Sequence, residues 1–204
     1  MMNNFLRNKK LIFDSWASSY DWLFPSVFYQ AIHKRLLEYV DLPQPANVLD
    51  LGCGTGRLLQ RLAAEFPQLR GTGLDLSSNM VRQARLNNRH HPRLIFLEGK
   101  AESLPFGNGQ FDAVFNTISF LHYGEPQQVL NEVSRVLAPG GRFYLVDFIF
   151  SREVESPILS ISSQTVKFYS PNQREVLGAS AGLLSVNHYY LLGTVLLTIF
   201  AKPS

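Results

Sequence analysis

The sequence predicts an α/β fold, a doubly wound and mostly parallel sheet of seven strands that ends in an antiparallel hairpin. Two observations carry this. Five short apolar runs between residues 47 and 148 are bounded by Gly, Pro and polar clusters, with amphipathic helix-length segments between them. Connections of that length fit crossovers, and crossovers join parallel strands. At the end of the chain, residues 184–191 and 194–201 are both β-rich and separated only by a short turn around Gly193, which demands a hairpin.

The elements follow in order. Leu11, Ile12, Trp16 and Tyr20 recur near one helical face over residues 8–20, and Phe28, Ala31, Ile32, Leu36, Leu37 and Val40 do so over 27–40. Pro25 is expected to separate these two helices, because proline interrupts a helix interior. Pro43 and Pro45 mark the loop into a first strand at 47–51. Leu58, Leu59, Leu62, Ala63 and Phe66 then give a helix that Pro67 ends. A second strand at 71–76 runs into Ser77, a good N-cap for a helix that turns Met80, Val81 and Ala84 inward. Strands at 93–97 and 111–116 follow, then a helix at 126–137 with Val129, Leu130, Val133, Val136 and Leu137 on one face. Pro139-Gly140-Gly141 is expected to turn the chain into a fifth strand at 142–148, and a helix at 171–181 precedes the hairpin.

Composition bounds the class. The 204 residues, 46% hydrophobic and 17% charged, fit one soluble globular domain with a core of its own. The lone Cys53 excludes an internal disulfide and any multi-cysteine zinc site, and no other spacing of His, Asp or Glu suggests a metal. The basic, polar start has no apolar core of signal-peptide length, and the apolar stretch at 191–201 falls short of the ~20 residues that span a bilayer. The expected location is the cytoplasm. A net charge of +3 and the arginines at 82, 85, 89 and 93 leave room for an acidic partner or peripheral contact with an anionic membrane. No aromatics interleave with them, so a nucleic-acid platform is not expected.

Chemistry gathers first at Val48-Leu49-Asp50-Leu51-Gly52-Cys53-Gly54-Thr55-Gly56-Arg57-Leu58, a strand–turn–helix whose glycines let backbone approach a ligand closely. A triphosphate loop would need Gly-Lys-Ser/Thr, which is absent. A dinucleotide turn would need glycine at position 57, where Arg57 stands. Asp75, 19 residues beyond Gly56, ends the second strand, where an acid can accept both hydroxyls of a ribose.

Four ordered segments sharpen this: residues 48–58; Gly73-Leu74-Asp75-Leu76-Ser77; Gly99-Lys100-Ala101-Glu102-Ser103-Leu104-Pro105-Phe106; and Phe111-Asp112-Ala113-Val114 with Leu121-His122-Tyr123 and Arg135-Val136-Leu137-Ala138-Pro139-Gly140-Gly141. In these the chain resembles the class I S-adenosylmethionine (SAM)-dependent methyltransferases, nearest to the group that holds the ubiquinone and menaquinone C-methyltransferases. The resemblance implies a Rossmann-like fold with SAM as cofactor and a small-molecule acceptor, of quinone type or another lipophilic ring. It implies one domain over 1–204: an N-terminal helical lid at 1–45, a SAM-binding core at 46–204 and an acceptor-site roof near 151–170.

Cofactor contacts are thereby expected from Tyr20, Asp50, Gly52, Cys53, Gly54, Gly56, Asp75, Leu76, Met80, Lys100, Ala101, Glu102 and Asn116. Family members commonly place an aspartate where Lys100 stands, to accept from the adenine amino group; Lys100 can only donate. His122 is the expected general base, and Trp16, Tyr123, Asp147 and Tyr169 are expected to line the acceptor site. Two other readings stay open: a non-catalytic binding or assembly protein that keeps the fold, and a nicotinamide-dependent oxidoreductase, against which Arg57 stands.

Overall fold

The computed structural model describes residues 23–150, 158–161 and 164–204. Seven strands form one sheet, in the order β3 (Leu94–Glu98), β2 (Arg70–Asp75), β1 (Asn47–Leu51), β4 (Phe111–Thr117), β5 (Leu137–Phe148), β9 (Val195–Ala201) and β8 (Leu184–Leu192). The first five are parallel; β9 lies antiparallel between β5 and β8. The predicted fold class is therefore the observed one. A separate two-stranded ribbon, β6 (Ile158–Ile161) with β7 (Gln164–Lys167), was not expected from the sequence.

Alternation along the central strands makes two cores. Val48, Ala113, Phe115, Tyr144 and Val146 face one side, under α1 (Leu23–Leu37), α2 (Arg57–Glu65) and α3 (Ser78–Leu86). Leu49, Leu51, Val114, Phe143 and Leu145 face the other, under α4 (Pro126–Val136) and α5 (Pro171–Ser180). Strands apolar on both faces are what a parallel sheet covered by helices requires.

Several local expectations change. Pro25 lies inside the first turn of α1 rather than between helices, where its missing N–H is one of the helix's unpaired donors anyway. Ile32 and Leu36 of that helix are fully buried and pack into the core, and the part of the expected lid before residue 23 lies outside the described residues. Pro139-Gly140-Gly141 runs within β5 across a register shift against β4, with Gly140 N–H donating to Lys202 O and Lys202 N–H to Gly141 O.

Two of the arginines read as a possible docking face, Arg85 and Arg93, bind carbonyls within the chain. Arg85 donates to the carbonyl of Phe96 at 3.0 and 2.7 Å, and Asn88 to that of Leu94 at 2.9 Å. Residues 93 and 99 take the bonds to β2, so these are carbonyls on the outer edge of β3, and capping them closes the edge to further pairing. Arg93 donates to the carbonyls of Ala63 and Leu69 at 3.0 Å, closing the end of α2.

Candidate cofactor site

The glycine turn joins β1 to α2 at the carboxyl end of the sheet, where open α/β folds bind ligands. Gly52 N–H and Cys53 N–H both donate to Leu74 O, at 2.8 and 3.1 Å, which ties the turn to β2. All three glycines have positive φ, yet their surroundings differ. A Cβ at Gly52 would lie 2.7 Å from Ser119 Cβ, and one at Gly56 2.7 Å from the ring of Phe96; a Cβ at Gly54 would meet nothing within 4 Å. Gly52 and Gly56 are thus glycine for packing. Gly54 alone opens onto space.

That space is two cavities that share Gly52, Gly54 and Thr117. The first, about 840 Å³ with its mouth included, has apolar walls from Leu74, Leu76 and Met80 and a polar edge from Asp75 and the turn 99–102. Its far wall is the stretch 117–119 with His122, Tyr123 and Gly124. The second, about 510 Å³, is lined by Tyr29 and His33 of α1 and by Asp50, Cys53, Thr55, Arg57 and Leu58.

Asp75 holds the edge of the first cavity in place. Its Oδ2 accepts from Gly54 N–H and its Oδ1 from Ser77 N–H, both at 2.8 Å. Ser77 caps α3 as expected, accepting from Met80 N–H at 3.2 Å. The loop after β3 is fixed from α4: Glu132 accepts from Leu104 N–H at 2.6 Å, and Arg135 donates to the carbonyls of Phe106 and Leu104 at 2.7 and 3.0 Å. Two of the segments singled out in the sequence are therefore halves of one clamp.

Behind the far wall lies Asn116, fully buried and lining neither cavity. Its Nδ2 lies 2.8 Å from Leu51 O, 2.7 Å from Ser119 Oγ and 2.9 Å from Tyr123 Oη, so it sets the wall rather than the surface. Burial pushes the Tyr123 phenol well above its ordinary range, so it stays protonated and is no base. Ile118 in this wall has φ +52°, a conformation costly to a β-branched residue, and its N–H is held by Val146 O at 2.8 Å.

Two ionisable side chains that line the second cavity, Asp50 and His33, are themselves buried. Burial and the neighbouring Asp75 push the Asp50 carboxyl up to about 8, while burial with Arg61 and Arg57 pulls His33 down to about 3. At neutral pH both are mainly neutral. Burial first, then Asp75 and Asp50, raise the Cys53 thiol, which fits a space-filling role rather than a reactive one.

Of the residues expected from sequence, Gly52, Gly54, Asp75, Leu76, Met80, Lys100, Ala101, Glu102, His122 and Tyr123 line the first cavity, and Asp50 and Cys53 the second. Gly56 and Asn116 stand behind them. Trp16 and Tyr20 lie outside the described residues. Asp147 and Tyr169 line neither cavity. Asp147 faces inward, its carboxylate accepting from Leu121 N–H at 2.9 Å and Phe148 N–H at 2.8 Å, and Tyr169 packs edge-on against Phe120 at 5.2 Å. Sequence reasoning missed Thr117, Ile118 and Ser119, and it missed Tyr29 and His33, whose i, i+4 spacing already put them on one face of α1. Among the described residues no cluster of His, Cys, Asp and Glu could hold a metal ion, and no helix is long and apolar enough to cross a membrane.

Residues 48–141, which carry the turn, Asp75 and the clamp, match the family model described as a methyltransferase domain. An uncharacterized methyltransferase of Synechocystis is 35% identical over 148 residues, covering 67% of each chain. The chain belongs to the SAM-dependent methyltransferase family. A 2-phytyl-1,4-naphtoquinone methyltransferase of Thermosynechococcus vestitus is 32% identical over 70% of this chain and 65% of its own. The chain spans roughly half to two thirds of the length of the curated relatives it matches. Among solved structures, the methyltransferase in complex with the Haloferax volcanii Trm112 activator superposes with a TM-score of 0.78 at 24% identity, over 94% of this chain and 98% of that one, a likeness of fold.

Proposed function

We propose that this methyltransferase transfers the methyl group of SAM to a small-molecule acceptor carrying a lipophilic, quinone-type ring. The observation that carries the cofactor assignment is the pair of cavities meeting at Gly54, one walled by Leu74, Leu76 and Met80 and edged by Asp75, the other lined by His33, Asp50 and Arg57. Leu76 and Met80 would wall the adenine, Asp75 would accept from the ribose, and Ala101 and Glu102 would meet the purine edge beside Lys100. Gly52, Cys53 and Gly54 would lie along the rest of the cofactor, with Asp50 near its ammonium and Gly56 and Asn116 holding the backbone from behind. The acceptor class is supported by the relative named for a naphthoquinone.

When bound, SAM supplies an electrophilic methyl carbon whose departure turns a sulfonium into a neutral thioether. What this chain contributes is positioning and exclusion of water. His122 lines the wall of the first cavity and would take a proton from a carbon or oxygen acceptor. Tyr123, held protonated, can donate a hydrogen bond to the acceptor but not deprotonate it. Trp16 and Tyr20 from the N-terminal segment and the stretch near 151–170 would complete the site from above. Residues 46–204 would form the core together with α1, and the reaction would take place in the cytoplasm.

Calorimetry with SAM and S-adenosylhomocysteine, followed by incubation of labelled SAM with extract fractions and mass analysis of the product, tests this. Micromolar binding and a methylated ring compound are expected. Absence of binding by both compounds would overturn the cofactor assignment, and label found only on protein or nucleic acid would overturn the acceptor class.

A further inference from the structure

We propose that Asp147 is a positioning residue for the methyl-acceptor side of the site. From the end of β5 it binds the head of the single 3₁₀ turn Phe120–His122, and so sets where His122 and Tyr123 stand in the first cavity. The proposal rests on the SAM reading above, with those two side chains meeting the methyl acceptor.

The far wall of the first cavity has little to hold it locally. β4 ends at Thr117, Ile118 takes φ +52°, and three residues of 3₁₀ helix carry the chain on to Tyr123. The turn closes on itself through His122 N–H to Ser119 O at 3.0 Å and Tyr123 N–H to Phe120 O at 3.1 Å. Its N-cap, Ser119, supplies no side-chain cap, because that hydroxyl is turned to Leu51 O, Asn116 and Tyr123. The N–H groups at the head of the turn therefore need an acceptor from elsewhere in the chain.

Asp147 supplies it. Its Oδ2 accepts from Leu121 N–H at 2.9 Å, 26 positions away in sequence, and its Oδ1 from the adjoining Phe148 N–H at 2.8 Å. Burial raises the carboxyl to about 6, while Arg174 and the N–H groups of Leu121, Phe148 and Phe120 favour its charged form, so at neutral pH it is mainly ionised. An ionised acceptor makes the stronger and shorter bond. The same turn is braced from behind. Arg174 donates to Asp147 O and Tyr169 O, both at 3.1 Å, and the ring of Tyr169 meets that of Phe120 edge-on at 5.2 Å. Phe120 and Leu121 are buried, so the first two residues of the turn are gripped, and the two that follow, His122 and Tyr123, line the cavity.

The cofactor's side of the cavity is held by other means. Asp75 is fixed through Gly54 and Ser77, and the loop after β3 through Glu132 and Arg135 of α4. Loss of the Asp147 carboxylate should then spare the cofactor and misplace the groups that meet the methyl acceptor, where a shift of about 1 Å can cost ~100-fold in rate.

The test joins calorimetry with S-adenosylhomocysteine, transfer of labelled methyl from SAM to naphthohydroquinone, and NMR of the His122 and Tyr123 rings in the S-adenosylhomocysteine complex. Asp147→Asn keeps one acceptor oxygen for two N–H groups, and Asp147→Ala keeps none. S-adenosylhomocysteine affinity and the KM for SAM should stay within about twofold in both, while kcat falls about tenfold in the first and toward ~100-fold in the second. The two ring resonances should move progressively from the unsubstituted protein through the asparagine to the alanine variant, with the ring of His90 as an unmoved reference. If the alanine variant does not fold, the asparagine variant and the unsubstituted protein decide. In the latter, the Asp147 carboxyl and Leu121 amide resonances should shift together with His122 when naphthohydroquinone is added to protein saturated with S-adenosylhomocysteine. Absence of S-adenosylhomocysteine binding by the unsubstituted protein overturns the SAM reading and this inference with it. Binding without methylation of the probe overturns the quinone-type acceptor, and the ring resonances of the variants then decide on Asp147. Variants whose turnover and ring resonances are unchanged, or whose S-adenosylhomocysteine affinity falls as far as their turnover, overturn the role of Asp147 and leave the SAM reading standing.

Discussion

The β1 side and the β5 side of the sheet each end in a buried aspartate at the carboxyl end of an apolar strand, and they use it in opposite ways. Asp50 and Asp147 are both 2% exposed, and burial pushes both carboxyls up, to about 8 and about 6. Around Asp50 the neighbouring polar groups face cavities: His33, Arg57, Gly54 and Asp75. Around Asp147 the protein has used nearly everything itself. Backbone N–H groups of Leu121 and Phe148 bind its carboxylate, and the fully buried Arg174 donates to the carbonyls of Asp147, Tyr169 and Leu196 and to Thr198 Oγ1. Thr198 in turn meets His188 Nδ1 at 3.0 Å, and His188 Nε2 meets Glu175 at 2.9 Å. A buried, shifted acid is therefore no mark of a site by itself. What separates the two sides is whether the surrounding polar groups bind one another in the core or line a cavity.

If that contrast is right, the largest effect on stability belongs to the closed side. Arg174→Ala should cost about 3–5 kcal/mol, as removal of one member of a buried charged network does, and that is a large part of a typical domain's stability. Urea unfolding measures it, and the fraction that remains folded should bind S-adenosylhomocysteine normally. A variant with unchanged stability and lost binding would put function on the β5 side. The turn gives the next test. Gly56→Ala combines left-handed backbone strain with a contact on Phe96 and should cost about 2–4 kcal/mol while sparing affinity in the folded fraction. Gly54→Ala meets no atom of the protein, so it should cost only about 1–2 kcal/mol of strain yet weaken cofactor binding tenfold or more.

The acids also differ in pH window. A carboxyl whose folded value is raised holds its proton in the folded state over a range where the unfolded chain has lost it. The folded state then binds more protons, and stability falls as pH rises. For Asp147 the fall runs from near pH 4 to about 6; for Asp50 it continues to about 8. Between pH 6 and 8 the decline thus belongs to Asp50, at no more than about 1.4 kcal/mol per pH unit. Asp50→Asn should flatten unfolding midpoints over that interval, and below pH 6 it should remove only the share of Asp50 and leave that of Asp147. A slope unchanged from pH 6 to 8 would refute the assignment.

Most of the fold was legible because local signals and tertiary outcome agree. Glycine and proline punctuation with period-two and helical spacing placed the seven strands of the sheet to within a few residues. The start of β5 was not, since Pro139-Gly140-Gly141 reads as a turn and only pairing with Lys202 makes it strand. In the site, the glycine turn and Asp75 were legible as a motif. The division of labour among the three glycines was not, because it depends on Ser119 from the loop after β4 and Phe96 from β3. Asp50 and Asp147 look alike in sequence, each ending an apolar run. Arg174, 27 residues after Asp147, makes the difference, and nothing local announces it. In the basic cluster at 82–93 the charge is visible in the sequence, and the carbonyls that Arg85 and Arg93 cap are not.

The smallest expected effect lies at the rim of the open side. Lys100 is exposed, and its carbonyl accepts from Ser103 N–H at 3.3 Å across the turn that presents Ala101 and Glu102 to the first cavity. An ammonium there can only donate, whereas a purine with an exocyclic amino group needs an acceptor at its edge. Lys100→Asp should therefore strengthen S-adenosylhomocysteine binding, by about two- to fivefold given that exposed polar contacts contribute at most ~1 kcal/mol. Calorimetry at two salt concentrations separates the cases. A gain that persists at high salt reflects a hydrogen bond to the base, while one that vanishes reflects only removal of a positive charge near the mouth. A loss of affinity would mean that Lys100 itself holds the cofactor, and the polar edge of the first cavity would then read its ligand through a donor.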